Sequence, residues 1–217
     1  GIFYCSRTLQ GQARQTICAQ AQAGQQLTVV GPLDRPLLKR WIQGRSFRRI
    51  QKEIQTPLLY VKKNWRQMQK ILLCMGGLGY ATDAENWAIF LTHQLKADLT
   101  ILHVIEPISY TYPTAQLMQE NWMDILATDT PQGENLRRGL ALAQAAGIEP
   151  RFKTRHGDTV HEILAEVDHD AYDLVVLGSP HSSQSLRHLY MPNVTAEVAE
   201  RVPCPVLTVE YGQKLIF

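Results

Sequence analysis

Short apolar runs alternate with longer stretches of helical periodicity along the second half of the chain. Four of these runs are continuously apolar rather than alternating, which predicts strands covered on both faces of a sheet. A fifth run, the third in chain order, is a weaker strand candidate. The runs are residues 70–75 (KILLCM), 99–105 (LTILHVI), 148–155, 174–177 and 205–209 (PVLTV).

Helical stripes separate these strands. The clearest stripe recurs at i, i+3, i+4 and i+7 and predicts a helix over residues 158–169, capped by Asp158 or Thr159. With right-handed crossovers, the order β-α-β-α-β-α-β-α-β predicts an α/β fold, namely a doubly wound, Rossmann-like sheet of five parallel strands. The stripes are Ala84, Trp87, Ala88, Leu91 and Leu95; Leu136, Leu140 and Ala143; Val160, Ile163, Leu164 and Val167; and Val194, Val198 and Val202.

The first 61 residues repeat the landmarks of the last part of this pattern. GIFYCSRTLQG (1–11) matches GIEPRFKTRHG (147–157), LTVVG (27–31) matches LVVLG (174–178), and PLLYV (57–61) matches PVLTV (205–209), at nearly equal spacings. Matched landmarks at matched spacings indicate a duplication. We therefore predict a partial, basic unit over residues 1–66, with counterparts of strands three to five, and a complete unit over residues 67–217.

The partial unit raises a problem of strand pairing. In a sheet of order 3-2-1-4-5 its third strand would have no neighbour, and unpaired backbone groups are costly. We expect either that the sequence is a piece of a longer protein or that the half-unit completes its sheet against another chain. For the whole protein we expect a homodimer or an intramolecular pairing of the two units.

Charge is distributed unevenly along the chain, although the net charge is only +2. Residues 1–70 hold 13 Lys and Arg against two Asp and Glu, whereas residues 71–217 hold nine against 18. The simplest interpretation is that the two parts attract each other. The alternative is an acidic partner such as nucleic acid or an anionic membrane surface, and of these nucleic acid is not favoured.

Cysteine spacing and hydropathy favour a cytoplasmic protein. The four cysteines are scattered without a CxxC pair, so neither a zinc ribbon nor a disulfide framework is indicated. No apolar run reaches the roughly 18–20 residues that a membrane span requires. We therefore predict no transmembrane segment within this sequence.

Three stretches resemble the universal stress protein family. They are KILLCMGG (70–77), LTILHVIEP (99–107), and the segment running from HGDTVHEILAEVDHDAYDLVVLGS (156–179) to NVTAEVAERVPCPVLTVE (193–210). The resemblance covers residues 70–217 well and residues 1–61 as a partial second copy. It implies a five-stranded parallel sheet, frequent dimers or tandem repeats, ATP binding in one subset of members, and no typical catalysis. Some members of the family are cytoplasmic tails of transporters.

The ATP-binding members of this family carry Asp directly after strand one and the pattern G-x2-G-x9-G-[ST] after strand four. The backbone amides of that pattern hold phosphates. In this sequence Gly76 stands at the Asp position, and His181 replaces the second glycine counted from Gly178. Met191 or Pro192 replaces the third glycine, and Asn193 takes the hydroxyl position. The motif is therefore degenerate.

Any ligand is expected beyond the carboxyl ends of the strands, where the winding of the sheet reverses. We expect either no cofactor or an adenine nucleotide such as ATP, held by the degenerate motif. The candidate ligand-binding residues are Gly76, Gly77, Gly79, Val104, Gly178, Ser179, His181 and Asn193.

No catalytic or metal-binding residues are predicted. Ser179, His181 and Asp173 suggest a hydrolase triad, but the G-x-S-x-G motif is absent and Pro180 follows the serine. No histidine pair has the i, i+4 spacing of a metal site on one helix face. The sequence predicts instead that Trp87 and His103 belong to the core.

The sequence thus predicts a non-enzymatic stress-response or regulatory module that binds a second copy or another protein. Two alternatives stay open. The first is a nucleotide-binding switch that takes ATP, AMP or a cyclic nucleotide. The second is the regulatory tail of a membrane transporter, suggested by the basic stretch 35–70 and by the incomplete first unit.

Overall fold

The structure, a computed structural model, describes residues 5–21, 26–31, 50–51, 53–62, 68–77, 81–106, 124–179 and 194–215. Within these ranges seven strands form one sheet: β1 (Thr28–Val30), β2 (Leu58–Tyr60), β3 (Lys70–Cys74), β4 (Asp98–Ile105), β5 (Arg151–His156), β6 (Leu174–Ser179) and β7 (Val206–Glu210). The α-helices are α1 (Ala13–Ala21), α2 (Thr82–Leu95), α3 (Pro131–Ala145), α4 (Thr159–Asp170) and α5 (Val194–Arg201), and a 3-10 turn over Ile125–Ala127 precedes α3.

The strand order is β1-β2-β7-β6-β3-β4-β5. From β7 to β5 all neighbours are parallel, and the winding reverses between β3 and β6. The predicted α/β fold with a mainly parallel sheet is therefore confirmed. The sheet is larger than the five strands predicted, because β2 pairs antiparallel with β7 and β1 pairs parallel with β2.

Both faces of the sheet are covered, which explains why the strands are continuously apolar. One face packs against α1, α4 and α5 and includes Leu72, Leu102 and Val175. The other face packs against α2 and α3 and includes Leu73 and Val176. Neighbouring residues of one strand thus belong to different cores, as the alternation of side chains requires.

Capping interactions set the observed ends of two elements. Asp158 caps α4, since its Oδ1 accepts a hydrogen bond from the His161 amide at 2.9 Å. At the end of α3, the amide of Ile148 donates to the Ala143 carbonyl at 3.0 Å. Residue 148 therefore completes the helix end, and β5 begins at Arg151 rather than at the predicted residue 148.

The two N-terminal strands pair with each other in the same register as β6 and β7. Thr28 lies opposite Leu58, and Val175 lies opposite Val206. These are matching positions when LTVVG (27–31) is aligned with LVVLG (174–178) and PLLYV with PVLTV. The amides also agree, since Thr28 N–H and Val175 N–H each donate to the carbonyl of the proline before the next strand, over 2.9 and 3.0 Å.

A glycine with positive φ precedes a helix at two matching positions. Gly11 has φ of 147° and lies before α1, and Gly157 has φ of 150° and lies before α4. A Cβ on Gly11 would lie 3.1 Å from Oγ1 of Thr16, and a Cβ on Gly157 would lie 2.8 Å from Oε1 of Glu162. Each neighbour is five residues downstream, so the two turns approach their helices in the same way.

The antiparallel ladder between β2 and β7 is locally symmetric. Its central pair is Leu59 and Leu207, which occupy the same position in PLLYV (57–61) and PVLTV (205–209). A contact centred on two equivalent residues has the character of a local twofold axis. The flanking pairs exchange roles about this centre; they are Leu58 with Thr208 and Tyr60 with Val206.

The prediction of a third-strand counterpart in residues 1–11 is wrong for the part that the structure describes. Residues 5–10 form neither helix nor strand, and residues 1–4 lie outside the described ranges. The physical reason is pairing: β5, the matching strand, is held by β4. Between residues 5 and 62 the described ranges contain no strand that corresponds to β4.

Lys62 ties the N-terminal strands to the rest of the protein. Its Nζ donates to the carbonyl oxygens of Glu200 and Val202, both at 2.6 Å. These carbonyls lie at the C-terminal end of α5, where helix carbonyls lack intrahelical partners and the helix dipole favours a cation. The contact is made to backbone carbonyls, so the attraction between the basic first part and the acidic second part stays a prediction.

Replacing Lys62 by methionine removes the charged donor while keeping an aliphatic side chain. Burial lowers the pKa of Lys62, which shows that its charge is partly desolvated. We expect the two charge-assisted hydrogen bonds to outweigh that cost, so Lys62→Met should lower the free energy of unfolding by about 1–2 kcal/mol. Urea unfolding measures this change. Lys96→Met, at an exposed position, alters the net charge equally and should have little effect; equal losses in the two variants would contradict the assignment.

Candidate functional site

The carboxyl ends of β3 and β6 meet where the winding of the sheet reverses, and the candidate ligand-binding residues lie around this point. Gly76 is exposed, Gly77 is buried, and Val104, Gly178 and Ser179 are half-buried. The predicted residues Gly79, His181 and Asn193 lie outside the described residues. We call the space above Gly76, Val104 and Ser179 the crevice.

The strand register divides the candidates between the two faces of the sheet. Cys74 lies opposite Leu177, and both pack in the core beneath α4 and α5. Because successive side chains alternate, Ser179 points to the same face as Leu177, and Val104 packs there too. Gly178 belongs to the opposite face, beneath α2. The fold therefore brings only some of the predicted ligand-binding residues together on one face of the sheet.

Gly178 is required for the packing of α2. A Cβ at this position would lie 3.2 Å from the Cα of Ala81 and 3.5 Å from the Cβ of Ala84. Contacts this short to a backbone atom leave no room for a larger side chain. The glycine at the end of β6 thus lets the start of α2 approach the strand.

Gly77 is required for a tight turn beneath α3. Its φ is +69°, in the left-handed region, and a Cβ would lie 2.9 Å from the Cβ of Gln132. The carbonyl oxygen of Gly77 accepts a hydrogen bond from Nδ2 of Asn135 at 3.2 Å. The glycine-rich loop therefore closes against the first turns of α3. No pattern in the sequence indicates this role of Gln132 and Asn135.

An ion pair between the half-exposed Arg138 and a buried carboxylate joins α2 and α3 beside this loop. Nη2 of Arg138 lies 3.1 and 3.2 Å from the two carboxylate oxygens of Glu85, which is fully buried. Burial raises the pKa of Glu85, and the adjacent guanidinium opposes this shift. Next to the pair, a Cβ on Gly139 would lie 2.8 Å from Cε of Met75. Helix α3 thus packs closely on the end of β3.

The segment after β7 reaches the crevice region, which the sequence did not indicate. The amide of Tyr211 donates to the Ser179 carbonyl at 3.0 Å, and the amide of Gly212 donates to Oδ2 of Asp83 at 2.7 Å. Nε1 of Trp87 donates to the Gln213 carbonyl at 3.4 Å. Residues 211–213 therefore connect the end of β6 to α2.

His103 is a core residue, as predicted. It is buried, and its Nδ1 lies 2.8 Å from the carbonyl oxygen of Met75. A carbonyl only accepts, so Nδ1 carries the proton and donates it. Burial lowers the pKa of His103, so the ring is kept neutral near pH 7. Trp87 is likewise buried in the core under α2, as predicted.

Asp173 and Ser179, the two described members of the triad weighed in the sequence, are not placed to act together. Oδ2 of Asp173 accepts hydrogen bonds from the amides of Gln69 and Lys70, both at 2.9 Å, at the start of β3. Asp173 precedes β6 whereas Ser179 ends it, and a strand of this length spans about 20 Å. The two side chains lie at opposite ends of the sheet. In the described part of the chain, no group of three or more His, Cys, Asp or Glu side chains is placed to hold a metal.

A sequence profile of the universal stress protein family matches residues 68–210. The chain belongs to the universal stress protein family. The match spans every strand from β3 to β7, and therefore the strand ends that form the crevice. Separately, no described helix is both long and apolar enough to cross a membrane.

Some relatives of this universal stress protein are matched along almost their whole length, and others extend beyond the match. Universal stress protein YxiE of Bacillus subtilis (strain 168) is 26% identical over 147 residues, which cover 64% of this chain and 97% of YxiE. A universal stress protein from Archaeoglobus fulgidus DSM 4304 matches 89% of this chain with a TM-score of 0.62 and 18% identity, and this chain spans 63% of its length. A universal stress protein solved in complex with cAMP matches 68% of this chain and 100% of its own, with a TM-score of 0.52 and 23% identity.

The two adjacent glycines of the universal stress domain should respond differently to substitution. Gly77→Ala places a Cβ in the left-handed region and against Gln132, so we expect a loss of about 2–3 kcal/mol in the free energy of unfolding. Gly76 is exposed, so Gly76→Ala should change stability by less than about 1 kcal/mol. Chemical denaturation of both variants tests this, and a tolerated Gly77→Ala would refute the packing role.

Removing the partner of Glu85 should destabilise the protein in a pH-dependent way. Arg138→Met leaves a buried carboxylate uncompensated, so we expect a loss of about 3 kcal/mol at pH 8. The folded pKa of Glu85 is raised and rises further without Arg138, so the loss should shrink as pH falls and the carboxyl group becomes protonated.

Thermal unfolding at pH 8 and pH 5 measures the effect of Arg138→Met. The matched control is the double variant Glu85→Gln with Arg138→Met. It carries no carboxylate at this position, so its stability relative to the native protein should lack this pH dependence. A loss that is the same at both pH values in the single variant would contradict the assignment.

Proposed function

We propose that this chain is a non-enzymatic regulatory module of the universal stress protein family, acting through binding rather than turnover. One observation carries the proposal. At two glycines beside the reversal point, Gly77 and Gly178, helices α3 and α2 approach the strand ends closely. The space left by their missing side chains is therefore filled by these helices rather than open to a phosphate.

The chemistry of the crevice supports the same proposal. Gly76, Val104 and Ser179 carry no charge, and the buried Glu210 lies opposite Ser179 in the register of β6 and β7. Asp173 binds the start of β3 instead. A carboxylate beside Ser179 would repel a phosphate group, so these residues suit a small uncharged ligand or none.

The proposal includes that residues 1–66 are a partial unit, which pairs with the complete unit of residues 67–217 inside a single chain. The shared register of β1–β2 and β6–β7 supports it, as do the matching turns at Gly11 and Gly157. The symmetric ladder centred on Leu59 and Leu207 takes the place that a second molecule would take in a homodimer formed through β7. A cytoplasmic location belongs to the same proposal.

Binding of an adenine nucleotide is the second candidate function. A universal stress protein of similar fold was solved in complex with cAMP. In this chain Gly76 is exposed at the reversal point, and Val104 and Ser179 share one face beside it. A ligand at this place would contact backbone atoms and one hydroxyl group, without a charged partner from these residues.

Titration calorimetry of the full chain with ATP, AMP and cAMP separates the two candidates. We expect no saturable binding with Kd below about 100 μM, which corresponds to roughly −5.5 kcal/mol. Gly76→Asp restores the acidic position of ATP-binding relatives, and it too should fail to bind ATP because the glycine pattern after β6 is still degenerate.

Saturable micromolar binding of a nucleotide by the native chain would establish the second candidate instead. Ser179→Tyr would then locate the ligand, since a bulky side chain at the crevice should abolish binding there. Leu142→Tyr, at an exposed position of α3, is the control and should leave binding unchanged.

A further inference from the structure

The outer edge of β1 has no strand beside it in the part of the chain that the structure describes. Thr28 N–H donates to the Pro57 carbonyl, and Val61 N–H donates to the Val30 carbonyl. In β1, Thr28 and Val30 therefore bond on the side of β2. Backbone groups alternate in direction along a strand. Val29 therefore directs its N–H and C=O away from β2, toward the open edge.

Strand β6, which matches β1, shows which elements lie beside the corresponding edge in the complete unit. Its second edge carries β3, and Leu73 lies opposite Val176 in a parallel pair. Val176 occupies the position of Val29 in the aligned motifs. It is fully buried in the core beneath α2, whereas Val29 is 59% exposed. Within its described residues, the N-terminal half thus has neither a neighbouring strand nor a covering helix at this place.

The two edges of the sheet are protected differently. At the far edge, β5 carries Arg151, Lys153 and Arg155, and the last two pair with Glu166 of α4 at 2.6 and 3.1 Å. Charged residues on an edge strand discourage further pairing. The residues of β1 are Thr, Val and Val, without a charge. Its edge has the composition of a strand that is paired.

We propose that the outer edge of β1 is an interaction surface for a partner polypeptide that adds a parallel strand and then covers Val29 with a helix. The partner segment has the chemistry of residues 70–95, a short apolar strand followed by an amphipathic helix. Main-chain hydrogen bonds to Val29 would supply affinity, as in other strand additions. The proposal rests on the partial second unit of the proposed function, because that alignment assigns Val29 its position.

A second copy of this chain is a less suitable occupant. Two β1 edges meeting about a twofold axis would bond to each other, but neither brings a helix onto the face of Val29. The complete unit buries the matching Val176 with α2 as well as with a strand. A strand–helix segment satisfies both requirements.

The full chain is titrated with a probe consisting of residues 68–97 of this sequence fused to a soluble carrier protein, and with the carrier alone. We expect saturable binding of one probe per chain. Val29→Pro removes the outward N–H and keeps both bonds to β2, since proline is tolerated on edge strands. It should weaken binding at least about tenfold, the effect of losing one hydrogen bond. Val29→Thr keeps the N–H and should bind like the native chain.

Leu142→Asp, at an exposed apolar position of α3, is the control for nonspecific hydrophobic contact and should leave binding unchanged. Circular dichroism checks that every variant is folded. Absence of binding by the native chain overturns the proposal, and so does equal binding by Val29→Pro. Self-association without the probe, if lost in Val29→Pro, also overturns it and assigns the edge to a second copy. Nucleotide calorimetry tests ligand binding in the crevice and does not involve Val29. A failure of the proposed regulatory function in that experiment is therefore distinguishable from a failure of the proposed strand addition at β1.

Discussion

A buried parallel strand must be paired along both edges and covered on both faces, and the whole architecture follows from this constraint. In residues 70–210 it is met within one unit, since β3 lies between β4 and β6 and helices cover both faces. The two N-terminal strands satisfy this pairing and covering constraint only in part. β2 gains its second neighbour from β7, and the antiparallel direction of that pair makes the ladder symmetric about Leu59 and Leu207.

The same constraint shapes the crevice. Helices that cover a sheet closely must approach the strand ends, and at β3 and β6 they do so over glycines that have no side chain in the way. A glycine-rich loop is typical of phosphate sites because backbone amides become accessible. Here the space left by the missing side chains is filled by Gln132 and Ala81, and Asn135 binds the Gly77 carbonyl. Glycine content alone therefore does not separate a phosphate cradle from a packing turn.

Much of the fold was predictable from the sequence because burial on both faces leaves a strong pattern. Strands β3 to β7 and the cap at Asp158 follow from apolar runs and local spacing. The antiparallel pairing of β2 was not predictable, since short motifs such as PLLYV do not encode which edge they join. The contacts of Asn135 and Tyr211 with the loop and with β6 were also missed, because they join residues far apart in the sequence through polar groups without periodicity.

Helix α5 lies between the N-terminal strands and the crevice. In a strand–helix–strand unit the helix runs back along the sheet, so the N-terminal end of α5 lies on the side where β6 ends and its C-terminal end lies near the start of β7. Lys62 holds the C-terminal end through the carbonyls of Glu200 and Val202. Ala196, Val198 and Ala199 fix the helix on the same face as Val104. One helix thus contacts Lys62 at one end and lies on the crevice side at the other.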